Sequence, residues 1–324
     1  MVAIRSYPRL HISLLDLGNA TLRKYGGAGF CIGGPPVEIE VAPSRETKIF
    51  GLEQVDSQGS SEVRRALGRL KAFLPHANAK VFVRNVPPQH IGLGTKTALI
   101  LAVLKAVDLA VGPGLPAGTL QTLSRRGGTS GIGVNGFFMG GFLVDAGHDP
   151  GRSKGFAPSS DRTAFSVPPV VCRLSIPSKW RFHLMLPPGY RSSGSRERRF
   201  FRENTPIAAR DVLNAISLVY HGVAPAVLSQ DLSMLKEALR GLHRLGFKRE
   251  EVEHQSLPVQ ELLRSVNHEA NLAAGMSSLG PLVYAVTDKG DINADETLSL
   301  LSTRYGARLL GCFPGRNEGF EVLD

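Results

Sequence analysis

PPQHIGLGTKTALILAVLKAVDLAVG, residues 87–112, decides how the rest of the chain is read. Pro87 and Pro88 stop the alternating stretch KVFVRNV (80–86), which reads as a strand. Gly92 and Gly94 then make a turn, and the apolar run that follows reads as a helix to about residue 110. A helix start presents unpaired N–H groups and the positive end of its dipole, so the turn suits an anion. Thr95 and Thr97 fall in the first helical turn, and Lys96 between them adds a mobile charge. The plainer alternative is a strand–turn–helix corner with no ligand. Neither G-x-x-x-x-G-K-[ST] nor G-x-G-x-x-G occurs here, so the usual nucleotide loops are excluded.

Upstream, PRLHISLLDL (8–17) alternates and reads as a strand, with Leu10, Ile12 and Leu14 on one face and His11, Ser13 and Leu15 on the other. Residues 21–34 are a glycine-rich turn and a buried strand; 37–41 and 48–50 are further strands, and 61–74 has helical spacing. Downstream, 116–123 is a short helix. RRGGTSGIGVNGFFMGGFLVDAGH (125–148) is too rich in glycine for a packed helix and predicts close backbone approach, with Gly131 and Gly133 at left-handed φ, before a strand at 142–144. The polar, proline-containing stretch 149–170 is the domain boundary, dividing the chain into 1–165 and 166–324. The second half reads as a strand (181–186), a basic loop, helices at 205–219 and 232–245, and a helix from 257 that fades before 274. The loop GMSSLGP (275–281), a strand (282–287), a helix (294–305) and a strand (307–313) follow.

A chain of 324 residues is one large or two medium domains, with apolar content enough for its own core. Three widely spaced cysteines exclude a disulfide framework or a C-x-x-C zinc site and favour a reducing, cytoplasmic setting. No secretory leader and no uncharged apolar run of membrane-spanning length is read, so no membrane partner is expected. The net charge of +10 suits solubility, nucleic acid or a polyanionic small molecule. Its densest stretch runs from Arg173 through Lys179, Arg181, Arg191, Arg196, Arg198 and Arg199 to Arg202, without the interleaved aromatics of a single-strand binder. With aromatics at only 7%, a phosphorylated metabolite is the favoured partner and nucleic acid is not, although a basic RNA-binding module stays in play.

PQHIGLGTKTAL resembles the second motif, P-x-x-x-G-L-G-S-S-A-A, of the GHMP superfamily of galacto-, homoserine, mevalonate and phosphomevalonate kinases. GMSSLGPLVYAV resembles its third, a glycine-rich loop before a strand. More particularly, RLHISLLDL, GGAGFCI and RRGGTSGIGVNGFFMGGFLVDAGH together resemble the beta-ribofuranosylaminobenzene 5′-phosphate synthase family, whose type includes C-nucleoside synthases of antibiotic pathways. The likeness is good over roughly 8–148, fair over 274–286 and thin between. It implies an α+β, GHMP-kinase-like two-domain fold, with a ribosomal-protein-S5-like N-terminal domain and a ferredoxin-like C-terminal domain. The site would lie between them. A homodimer is the oligomer considered for the chain. It also implies condensation of phosphoribosyl diphosphate with an aromatic carboxylate, releasing diphosphate and carbon dioxide, in a pterin-cofactor (methanopterin) or antibiotic pathway. The alternative is an ATP-dependent small-molecule kinase. Against it, mevalonate-type kinases carry S-G-x-D where this chain has Ser130, Gly131, Ile132 and Gly133. A standard phosphoribosyltransferase is excluded by the lack of any Asp-Asp pair.

On that reading the donor needs two anion sites. Gly92, Gly94, Thr95 and Thr97 suit the diphosphate, with Lys96 and Mg²⁺ stabilising its departure. Arg126, Gly127, Gly128, Thr129, Ser130 and Gly131 offer a second set of donors, and Ser277 and Ser278 a third. Asp16 or Asp145 would face the positive ribose or hold its hydroxyls, and His11 or His148 would act as base. Arg181 or Arg191 would hold the acceptor carboxylate. Each has a plainer alternative: His11 as a backbone-bonded core residue, Asp16 as a turn cap, Asp145 as a strand-end turn former, Lys96 as a solvated charge, and the 173–202 stretch as a solvated face.

Overall fold

The computed structural model describes residues 1–152, 155–158, 166–191 and 194–323. One sheet runs, edge to edge, β13 (Glu321–Leu323), β1 (Val2–Ser6), β4 (Val37–Pro43), β6 (Ala79–Asn85) and β5 (Lys48–Phe50), antiparallel except for β5 against β6. A second is the antiparallel series β2 (Arg9–Asp16), β3 (Tyr25–Cys31), β7 (Phe142–Asp145) and β8 (Val170–Leu174). A third is β10 (Ala273–Met276), β11 (Val283–Asp288), β9 (Trp180–Leu186) and β12 (Arg308–Pro314), also antiparallel.

Alternation on β4 sends Val37, Ile39 and Val41 inward, where they meet α1 (Ser57–Phe73) and α2 (Thr95–Val111) in one core. Helix α2 is apolar on nearly every side, and Leu99–Leu104 are all buried, as expected of a helix clamped between a sheet and other helices. Helices α3 (Ala117–Ser124) and α4 (Ile132–Met139) follow it. A second core joins the halves: Leu10, Ile12 and Phe30 pack with Trp180, Phe182 and Tyr284, and the Phe30 and Phe182 rings are 5.3 Å apart.

The second half also supplies α5 (Ser195–Glu203), α6 (Ala209–Leu218), α7 (Ala224–Ser229), α8 (Leu232–Leu242), α9 (Gly246–Glu253), α10 (Leu257–His268) and α11 (Ile292–Arg304). A π-helical turn links α6 and α7, and the span Ala209–Ser229 is long and apolar enough to cross a membrane. Its residues Ala215, Val219, Val223 and Val227 instead fill the shared core, as in the core helix of a folded domain.

Four expectations are corrected. The alternation along β2 breaks at a bulge between His11 and Ser13, so Leu15 enters the shared core and Leu14 joins a different cluster. The glycine-rich 125–148 stretch does contain a helix, α4, because Gly136 lets Cys31 approach: a Cβ there would sit 2.5 Å from its Sγ. Gly131 has φ −81 and Gly133 is not left-handed either, whereas Gly127 is, at φ +90. The basic loop forms α5, amphipathic enough to bury Phe200 and Phe201 while its arginines face outward. The division expected at 165/166 falls outside the described residues; β8 and β13, both from the second half, hydrogen-bond into the sheets of the first.

Candidate active site

A pocket opens where the two halves meet. Its floor is the turn before α2, pinned to the loop after β10: the Gly92 carbonyl accepts from Ser277 Oγ at 2.7 Å and from the Arg9 guanidinium. Gly92 has φ +107, and a Cβ there would lie 2.3 Å from the Ser277 carbonyl oxygen, so glycine alone permits this closure. Gly94, at φ +71, caps α2 and turns its first N–H groups toward the opening. Thr95 Oγ1 donates back to Pro88 O at 3.2 Å, which fixes the turn and takes that hydroxyl away from any ligand.

One wall is a charge network around Glu62 of α1, which sequence reading did not single out. Its carboxylate lies 3.3 Å from Lys96 Nζ and 3.2 Å from Arg126 Nη1, and Gln58 Nε2 donates to it at 3.0 Å. Arg126 Nε also donates to Thr97 Oγ1 at 3.1 Å. Lys96 and Arg126 thus share the Glu62 carboxylate, and Asp56 lies within electrostatic reach of Lys96. Arg9 adds positive charge: burial pulls its guanidinium down to about 10, still charged at neutral pH. The only signal for Arg9 and Glu62 in the sequence was charge type; their convergence is tertiary.

The second glycine loop bends over the opening, and Gly127, Thr129, Ser130 and Gly133 line it. Asp145 holds that loop from beneath, accepting Ser130 Oγ–H at 2.9 Å, Gly131 N–H at 2.8 Å and Gly147 N–H at 2.9 Å. Burial raises its carboxyl to about 6 against the pull of these donors. His148 is buried with Nε2 2.8 Å from Gly127 O. Asp145 and His148 therefore brace the loop from outside the pocket lining. Gly128 and Gly131 are in the loop but not in the lining.

His11, Lys96, Gly92, Gly94, Thr95, Thr97, Arg126, Gly127, Thr129, Ser130 and Ser278 are brought together on one cavity. Others are not. The Asp16 carboxylate accepts the N–H groups of Gly18, Ala20 and Thr21 at 2.8–3.2 Å, which is the turn-cap alternative. Ser277 Oγ is spent on Gly92 O and His11 N. Arg181 donates to the carbonyls of Ser178 and Trp180, and it pairs with Thr287 at the end of β9 remote from the 277–282 loop. Arg191 is outside the lining as well. The basic stretch scatters: Arg173 binds the carbonyls of Met139 and Asn317, Lys179 faces Asp288 at 3.4 Å, and Arg199 pairs with Glu203.

The pocket lining also has an apolar patch: Leu14, turned to it by the β2 bulge, lines the cavity with Phe201 and Leu279, and His11 and Glu251 line it too. Among the described residues no group of three or more His, Cys, Asp or Glu side chains is arranged to hold a metal. The lining thus offers cationic side chains and helix-start N–H groups to an anion, and an apolar patch to a ring.

Over 292 residues the chain is 34% identical to the beta-ribofuranosylphenol 5′-phosphate synthase of Methanothermobacter thermautotrophicus, covering 88% of each chain. Over 328 residues it is 32% identical to the protein of the same name from Archaeoglobus fulgidus, covering 99% of each. A third relative of that name, from Methanocaldococcus jannaschii, is 31% identical over 88% of this chain and 89% of its own. No protein-family model matches. Among solved structures, the fold is that of GHMP kinases. A phosphomevalonate kinase from Streptococcus pneumoniae superposes with a TM-score of 0.71 at 13% identity, over 96% of this chain and 99% of that one. A homoserine kinase from Cytophaga hutchinsonii gives 0.69 at 15%, over 99% and 97%.

Proposed function

Since the chain belongs to the family of beta-ribofuranosylphenol 5′-phosphate synthases, and is therefore an enzyme, we propose that it joins C1 of phosphoribosyl diphosphate to the ring carbon of an aromatic carboxylate of the 4-hydroxybenzoate type. Diphosphate and carbon dioxide are the other products. The observation that carries the reading is the mixed lining of one pocket: Lys96, Arg126, Arg9 and the α2 start, together with an apolar patch of Leu14, Phe201 and Leu279. An amino-pyrazole carboxylate is the alternative acceptor within the same reaction.

In this mechanism the diphosphate lies against Gly92–Thr97, where the first N–H groups of α2 and Lys96 meet negative charge that grows as the C1–O bond breaks. Arg126 and Arg9 flank it. The second loop turns Gly127, Thr129 and Gly133 toward the ribose 5′-phosphate or hydroxyls, while the Ser130 hydroxyl proton stays on Asp145. Held in place by Glu62, Lys96 and Arg126 need little reorganisation when the donor binds. Attack through the carbon that bears the carboxylate lets carbon dioxide leave in place of a proton and restores aromaticity.

Mg²⁺ belongs to the same proposal. Glu62 and Glu251 already face cations, which favours a magnesium ion that arrives on the diphosphate over one held in a protein cage. When bound it would neutralise the leaving group. A cytoplasmic location is part of the proposal too. Incubation with phosphoribosyl diphosphate, Mg²⁺ and a panel of aromatic carboxylates tests the reading through carbon dioxide release. Release that requires the diphosphate donor is expected; none from any acceptor in the panel overturns it.

A further inference from the structure

The pocket lining holds two buried polar groups, His11 and Glu251, both close to Arg9 and Lys248. His11 is 5% exposed, and its Nδ1 has no hydrogen-bond partner. Burial, with Arg9 and Lys248 nearby, keeps the ring far below its ordinary value and so neutral. Glu251 of α9 is 2% exposed and lines the same cavity. Lys248 Nζ lies 2.5 Å from its carboxylate but also serves the carbonyls of Met276 and Ser278, each at 3.2 Å. A carboxylate has about four lone-pair positions, and one shared ammonium leaves room for another donor. A neutral imidazole nitrogen and a carboxylate, both desolvated beside Leu14, Phe201 and Leu279, match an aromatic ring with one hydroxyl on its edge.

We propose that the apolar patch is the acceptor subsite, that Glu251 takes the proton of the acceptor's ring hydroxyl, and that the His11 ring holds the oxygen. The assignment rests on the synthase reading above. As the O–H bond breaks, the proton passes to Glu251 and the oxygen's electron pair moves through the ring to the carbon that bears the carboxylate. That carbon bonds to ribose C1 while the diphosphate departs with the C–O pair. Loss of carbon dioxide then returns the C–C pair to the ring and oxygen, which takes the proton back from Glu251. Burial raises the Glu251 carboxyl above its ordinary value and so makes its carboxylate a stronger base, while Lys248 pulls in the opposite direction, toward the ionised form.

The test is Glu251→Gln with 4-hydroxybenzoate and ring-fluorinated analogues of increasing hydroxyl acidity. For the parent acid, kcat should fall by about 10²–10³-fold, the range of a lost general base, while affinity for phosphoribosyl diphosphate stays within about twofold. The ratio of wild-type to variant turnover should shrink steadily as the hydroxyl becomes more acidic, which a merely structural residue would not produce. If Glu251→Gln fails to fold, Glu251→Asp keeps the charge beside Lys248, withdraws the oxygens and should show the same graded loss. Phe201→Trp should fill the ring slot and raise the acceptor KM with donor affinity unchanged. Turnover kept within threefold, or a loss equal across the analogues, overturns the base assignment; an unchanged acceptor KM in Phe201→Trp overturns the subsite. A wild type that releases no carbon dioxide with any acceptor refutes the synthase reading instead.

Discussion

Lys96 is the residue whose removal should separate chemistry from folding most cleanly. Its ammonium sits 3.3 Å from Glu62 Oε1 with the side chain only 14% exposed, so it is held at the pocket wall before any ligand arrives. Replacement by Met keeps the aliphatic stem and deletes the charge. Glu62 would still have Arg126 at 3.2 Å and Gln58 at 3.0 Å, so its carboxylate is not left alone. The stability cost should therefore be about 1 kcal/mol, that of one partly exposed ion pair. The kinetic cost should be larger, because in the proposed reaction the ammonium faces charge that develops as diphosphate leaves. One lost preorganised donor is worth about 2–4 kcal/mol of barrier, or roughly 30–1,000-fold in turnover. Diphosphate release in the presence of donor and acceptor measures the second quantity, and urea unfolding the first. A folded Lys96→Met enzyme within threefold of wild-type turnover would refute the argument.

Two further outcomes follow from the loops. Gly92→Ala puts a Cβ 2.3 Å from the Ser277 carbonyl oxygen at φ +107 and should destabilise by about 3 kcal/mol or fail to fold, whereas Gly133→Ala meets Thr97 at 3.4 Å and should unfold at nearly the wild-type urea concentration. Asp145 rises in the folded state from 3.8 to about 6, so the native protein binds that proton more tightly than the unfolded chain. Its contribution is fully present below about pH 4 and lost as pH climbs through 6, about 3 kcal/mol in all. Urea midpoints between pH 4 and 7 should show this decline in the wild type relative to Asp145→Asn; parallel curves would contradict it.

The parts of the fold visible in the sequence were those with local causes. The Pro87–Pro88 stop, the Gly92–Gly94 turn and the apolar run after it specify β6 and α2 with no help from the rest of the chain. What local pattern could not show was register and return. The β2 bulge moved Leu14 onto the pocket face, and β13 closes a sheet begun by β1 more than three hundred residues earlier. In the site, glycine loops announced themselves by density, and Lys96 by its place at a helix start. Glu62, Arg9 and Glu251 did not, because isolated charges on a helix or strand look like solvated faces until packing brings them together. Asp16 and Arg181 erred the other way: each is satisfied by backbone groups near it in sequence, a use that residue type alone does not disclose.

In the proposed reaction, glycine loops on a kinase fold cradle phosphates in the service of carbon–carbon bond formation. Purified enzyme given Mg²⁺ and carboxyl-labelled 4-hydroxybenzoate, with phosphoribosyl diphosphate in one tube and ATP in the other, tests it most directly. The account predicts labelled carbon dioxide only with phosphoribosyl diphosphate, one equivalent per diphosphate formed, and no ADP from ATP with homoserine or mevalonate. Steady ADP formation with either alcohol, and no labelled gas from the first tube, would contradict it.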